Sequence, residues 1–171
     1  MRCRQNWSEQ CEIELNKQIN REYQASVSYH MLSNYFNRDD VGLQKLVEYF
    51  NKESLEEREH ANKFMEYQNK RGGIVTLNDI RPVSILQIGL DKSNDVLQAF
   101  NIALEMEKNI NEHLINLHKT AENDPQFSDY LEGTFLNEQV ESISKYSKII
   151  SILERFNGDQ HAIWNYINSI F

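Results

Sequence analysis

At 171 residues the chain is long enough for one domain with a substantial core. Only two prolines and six glycines occur while 26% of residues are charged, which favours helices over strands and turns. A net charge of −8 argues against a nucleic-acid partner and suits a protein that attracts cations, and no run of about 18 apolar residues is present to span a membrane.

Met1 to Trp7 read as a flexible tail. Met1 to Asn6 lack the apolar core of a signal peptide, which gives a cytoplasmic expectation. Asn6-Trp7-Ser8 is a glycosylation sequon and keeps open a secreted alternative with its signal removed. Cys3 and Cys11 are then free thiols or, in that alternative, a local or inter-subunit disulfide. Apolar periodicity predicts a first helix from about Ser8 to Phe36, with Leu15, Ile19, Tyr23, Val27 and Phe36 on its inner side. A second runs from about Val41 to Lys70 and stops at Gly72-Gly73. The stretch Gly72 to Leu90 can travel the length of a full helix, about 40 Å. The third helix starts near Asp91 to Ser93, with Ser93 or Asn94 as its cap, and continues to about Glu122. Pro125 opens the fourth, which continues to about Phe156, and a short apolar helix covers about residues 160–171. Two short loops and one long crossover predict a single all-α domain over 1–171: a four-helix bundle with a short fifth helix.

Glu22, Glu57, Glu107 and Gln139 each interrupt an apolar stripe near the middle of a different helix, and His60 stands one turn after Glu57. Singly, each is an ordinary surface residue. Together they bring three acids, an imidazole and an amide to one level of the bundle. A buried carboxylate is costly unless its charge is compensated, and metal ions would compensate these. Oxygen-rich sites with one imidazole suit iron or another borderline-hard divalent ion. Glu57 is the candidate bridge between two ions about 3.5–4 Å apart. Glu22 and His60 complete a first site, while Glu107 and Gln139 hold the second ion more loosely, because a neutral amide is a poorer ligand. That asymmetry suits an ion that leaves after oxidation. Tyr29, two turns past Glu22, hydrogen-bonds a ligand, donates an electron or only packs its ring.

The segments Glu56-Glu57-Arg58-Glu59-His60-Ala61, Gln68-Asn69-Lys70-Arg71-Gly72-Gly73, Leu104-Glu105-Met106-Glu107-Lys108-Asn109 and Leu136-Asn137-Glu138-Gln139-Val140 resemble eukaryotic ferritin, in a likeness that runs from about Gln18 to Tyr166. The resemblance implies the ferritin-like fold and a heavy-type, ferroxidase-competent subunit. Glu22, Tyr29, Glu57, His60, Glu107 and Gln139 match the family's ferroxidase centre, all but Tyr29 as metal ligands. Ile110, three residues after Glu107, stands where a second Glu-x-x-His motif would place its His, which separates the chain from bacterioferritin-like proteins. The implied reaction is oxidation of Fe(II) by dioxygen, with storage of Fe(III) as a mineral in a hollow 24-subunit cage, alone or with other ferritin subunits. Glu56, Glu59 and Glu138 correspond to nucleation or transit acids, although Lys52 and Leu55 stand where light chains have acids. His118, Asp129 and Glu132 match the threefold entry channel, and Ile163, Trp164, Ile167, Ile170 and Phe171 resemble the helix that lines the fourfold axis. The crossover after Pro82 (Val83-Ser84-Ile85-Leu86-Gln87-Ile88) is longer than the family usual, and a subunit interface would be a natural place for its Ile and Leu residues. A shell subunit that relies on partners for oxidation, and a di-iron oxygenase, remain as other readings.

Overall fold

The computed structural model describes residues 2–84 and 94–171, which form four long helical rods and a short fifth helix, with no strand among them. The expected helix start at Asp91 to Ser93 and the Ile85 to Ile88 run lie outside the described residues. Helix α1 spans Glu9–Phe36, and the Ser8 hydroxyl caps it by accepting from the Cys11 amide at 3.0 Å. Helix α2 spans Gln44–Lys70, starting three residues later than the sequence predicts. The reason is Gly42, whose φ of +63° turns the chain so that the Leu43 amide returns to the Phe36 carbonyl at 3.1 Å. Helix α3 spans Asp95–Thr120 and packs on α1 and on the fourth rod.

The fourth rod is not the continuous α-helix expected. It consists of α4 (Pro125–Leu131), a π-helical segment (Glu132–Leu136) and α5 (Asn137–Phe156). Phe127, Leu131, Phe135 and Gln139 follow one another at steps of four, and each such step on an α-helix overshoots a full turn by about 40°. A π turn holds an extra residue and absorbs that drift, so all four side chains stay buried. Helix α6 (Gln160–Ile170) follows a left-handed turn at Asn157 and is capped by Asp159, which accepts from the His161 and Ala162 amides.

The crossover from Gly73 to Val83 is laid along α1 by a row of α1 side chains one or two turns apart. Glu12 accepts from the Ile74 amide, Asn16 from Thr76, Asn20 from Asn78 and Ser28 from Val83, all within 2.9–3.1 Å. The chain therefore crosses the bundle without burying an unpaired backbone donor at those positions. Trp7, expected in the flexible tail, is corrected: it is 4% exposed against Tyr67 and Phe127, with the Arg71 guanidinium 4.7 Å from its ring, while residues 2–6 are exposed. Val27 is also corrected, from the inner side to an exposed position (39%).

The core divides into two apolar halves. One gathers Leu15, Ile19, Phe64, Ile110, Leu114, Phe127, Leu131 and Phe135. The other gathers Leu32, Phe36, Phe50, Phe100, Ala103, Ile150 and Leu153 around Tyr29 and Tyr146. On every rod the polar interruption falls between these halves, so the fold itself brings the polar residues to one level.

Candidate metal centre

Glu22 on α1, Glu57 and His60 on α2, Glu107 on α3 and Gln139 on α5 are all 5% exposed or less. Gln139 reaches the centre because the π segment just before it corrects the helical phase. The five residues divide into two linked groups. Glu22, Glu57 and His60 bring one ligand atom each within 4.8 Å of one another. In the other group, Gln139 Nε2 donates to Glu107 Oε2 at 3.0 Å, and Tyr29 donates to Glu107 Oε1 at 2.5 Å. Glu57 feels the charge of Glu107, and so stands where the groups meet.

Electrostatics show how unfavourable this arrangement is without a cation. Burial pushes the Glu22 carboxyl well above the usual range, and the neighbouring Glu57 charge pushes it further. Glu57 is raised well above that range too, first by burial and then by Glu107. The interaction between the two acids favours the proton on Glu22 over Glu57. Glu107 is raised by burial, against the opposing bonds from Tyr29 and Gln139. Burial would lower the His60 imidazole, but the Glu138 and Glu22 carboxylates outweigh it and raise the group overall.

The donor atoms fit a cation. Glu22 Oε2 and Gln139 Oε1 are buried oxygens without a hydrogen-bond partner among the described residues. Such orphaned acceptors cost about 1–3 kcal/mol each unless something satisfies them. Both are lone-pair donors in a cluster of acids that a divalent ion would neutralise.

The other expected residues fall elsewhere. Glu138 lies beside His60, with Oε2 3.3 Å from Nε2, and joins Glu56 in a second grouping around that imidazole. Glu59 is exposed and belongs to neither grouping. His118 and Glu132 pair at 2.6 Å near the start of the fourth rod, while Asp129 is exposed one turn before Glu132. Cys3 is exposed and Cys11 buried, and both are free thiols. Sequence reasoning passed over Gln18, which is 1% exposed and donates to Glu22 Oε1 at 2.7 Å. Its position one turn before Glu22 on the same stripe was the available signal.

Comparisons with known proteins show the family of the chain. The model of the ferritin family, described as a ferritin-like domain, matches residues 13–156. Among curated relatives, "Ferritin, chloroplastic" of Malus baccata var. xiaojinensis is 47% identical over 165 residues, 95% of this chain and 65% of its own length. "Ferritin-1, chloroplastic" of Brassica napus is 46% identical over 166 residues, 95% and 64% of the two lengths. "Ferritin-3, chloroplastic" of Arabidopsis thaliana is 46% identical over 164 residues, 94% and 62%. The chain thus spans just under two thirds of the length of these relatives. Their names contradict the cytoplasmic expectation and lend nothing to the secreted alternative. With an all-helical bundle, its long crossover and a family match over most of its length, the chain belongs to the ferritin family.

Proposed function

We propose that this chain is a heavy-type ferritin subunit, which oxidises Fe(II) with dioxygen at its own di-iron centre. It stores the Fe(III) as a mineral inside a 24-subunit cage. The observation that carries this reading is the convergence of three buried carboxylates and His60 around oxygens with no partner of their own.

The substrate balance is two Fe(II), one dioxygen and two protons giving two Fe(III) and hydrogen peroxide. Glu22 and His60 hold one iron, Glu107 and Gln139 the other, and Glu57 bridges them. Burial and mutual repulsion raise the Glu22, Glu57 and Glu107 carboxyls, and bound cations would offset both by supplying the stabilisation that water would otherwise give. Gln139 adds no charge, so the second ion is held more weakly and is the one poised to leave. Dependence on partner subunits for oxidation is disfavoured, because no ligand of the set is replaced. The oxygenase reading is disfavoured by Ile110, which supplies no second imidazole. A plastid location is the reading that the names of the relatives support.

Aerobic Fe(II) oxidation, followed by absorbance with particle size measured on the same sample, tests the proposal. Glu57→Ala and His60→Ala should each slow the fast phase by at least about tenfold, as expected for loss of metal-site groups. Parent-like rates in both variants would remove the centre, and a particle near the 20.2 kDa of one chain would remove the cage.

A further inference from the structure

Next to the metal ligands, three tyrosine hydroxyls meet in the second apolar half of the core. The Tyr29 hydroxyl lies 3.2 Å from that of Tyr146, and the Tyr146 hydroxyl lies 3.2 Å from that of Tyr49. Tyr29 and Tyr146 are fully enclosed and Tyr49 is 8% exposed. Packing alone does not account for the hydroxyls, since Phe50 and Phe100 fill the same core with bare rings. The fourth member is Glu53, whose Oε2 accepts from Tyr146 at 2.6 Å and whose Oε1 lies 3.5 Å from Lys145 Nζ.

A phenol carries one proton. Tyr29 donates its one hydrogen bond to Glu107 and Tyr146 donates its one to Glu53, while Tyr49 donates to Tyr146. The 2.6 Å contact to Glu53 has the length of an O–H···O⁻ bond to an ionised carboxylate. Removing an electron from a buried phenol leaves a strongly acidic cation, so oxidation requires a proton acceptor already in place. Glu107 suits that role poorly, because on the reading above its charge is committed to iron. Glu53 belongs to neither ligand group, and its side chain is 12% exposed beside Lys145.

Resting on the ferroxidase reading, we propose that Tyr146 donates an electron to the centre through Tyr29 and passes its proton to Glu53. The oxidant is the hydrogen peroxide left by the first turnover, acting with one further Fe(II). Peroxide, that Fe(II), Tyr146–OH, ionised Glu53 and two protons give two waters, Fe(III), the Tyr146 phenoxyl radical and protonated Glu53. The O–O bond of peroxide and the O–H bond of Tyr146 break, and new O–H bonds form on Glu53 and water. Iron and tyrosine each lose one electron. Without the tyrosine electron, the same Fe(II) supplies only one and leaves a hydroxyl radical inside the bundle. The Tyr49 hydroxyl remains as a hydrogen-bond donor to the phenoxyl oxygen.

The test mixes protein loaded with one Fe(II) per subunit with hydrogen peroxide in the absence of dioxygen, freezes it for electron paramagnetic resonance and spin-traps hydroxyl radical in parallel. Aerobic Fe(II) oxidation is measured on the same preparations. The parent should show a tyrosyl radical. Tyr146→Phe and Glu53→Gln should lose most of it and release more trapped hydroxyl radical, with aerobic iron oxidation kept, while Tyr49→Phe should retain the radical. Glu53→Gln leaves all three rings in place, and so carries the test if Tyr146→Phe fails to assemble. A parent-like radical in both Tyr146→Phe and Glu53→Gln overturns the proposal. A parent that oxidises iron in air yet forms no radical with peroxide overturns this step alone, whereas a parent that oxidises no iron takes both readings down.

Discussion

Glu22 and Glu57 are held in the fold at a cost that depends on pH. Both carboxyls are raised in the folded state, first by burial and then by neighbouring acids. An unfolded glutamate titrates near about 4.3, so above that pH the folded chain binds more protons than the unfolded one. Stability is therefore fully present below the unfolded value and is lost as pH rises towards the raised folded values. Metal-free protein should melt at progressively lower temperature as pH climbs from 5 to 8. Glu22→Gln keeps the shape and removes one titrating acid. It should flatten that slope and raise the metal-free melting temperature at pH 8 by several degrees, at about 2–4 °C per kcal/mol. Zn(II), a redox-silent probe, should stabilise the parent more at pH 8 than at pH 6, and Glu22→Gln less than the parent at either pH. Melting curves at fixed protein concentration decide it, and identical slopes in parent and variant would mean that these acids do not share the burial described.

The elements differ in how far the sequence discloses them. Three Glu residues and a Gln on apolar stripes were legible because a helix repeats every 3.6 residues and any polar side chain on the buried face stands out. The same reasoning missed the π segment, because four inward residues at steps of four look regular until their angular drift is added up. It also missed the docking of the residues before α1, which depends on contacts between distant parts of the chain. Arg71 makes most of them: it pairs with Asp124, donates to the Asn6 carbonyl at 3.0 Å and lies over the Trp7 ring. Asp124 is itself 5% exposed and caps α4 through the Phe127 amide at 3.2 Å. Removing the guanidinium would leave that carboxylate buried without its partner. Arg71→Ala should therefore lower stability by about 3 kcal/mol. Arg71→Lys should recover little of it, since an ammonium can neither fork nor stack as a guanidinium does. Denaturant melts compare the two, and full recovery by Lys would show that charge alone holds this junction.

For the whole molecule, a net charge of −8 per chain would make cation delivery a property of the proposed cage. Asp129 and Glu132 are exposed, and Glu132 is anchored by His118 at 2.6 Å, so its carboxylate has a fixed place near the start of the fourth rod. In one chain they are a solvated acidic pair of little consequence. In the proposed cage, three copies around a threefold opening would form a negative funnel, and focusing of that kind raises cation on-rates by about 10–1,000-fold. Its salt dependence would separate it from a chemical effect at the proposed di-iron centre. The screening length shrinks from about 30 Å at 0.01 M salt to about 8 Å at 0.15 M, which shortens the reach of the funnel but leaves buried ligands almost untouched. Parent protein should therefore oxidise Fe(II) more slowly as salt rises over that range. The double variant Asp129→Asn, Glu132→Gln should start slower at low salt and show almost no salt dependence, while the amount of iron finally oxidised per subunit stays the same. A slope equal to the parent's would place the entry route elsewhere on the shell, and a lower final amount would mean that these acids support the centre itself.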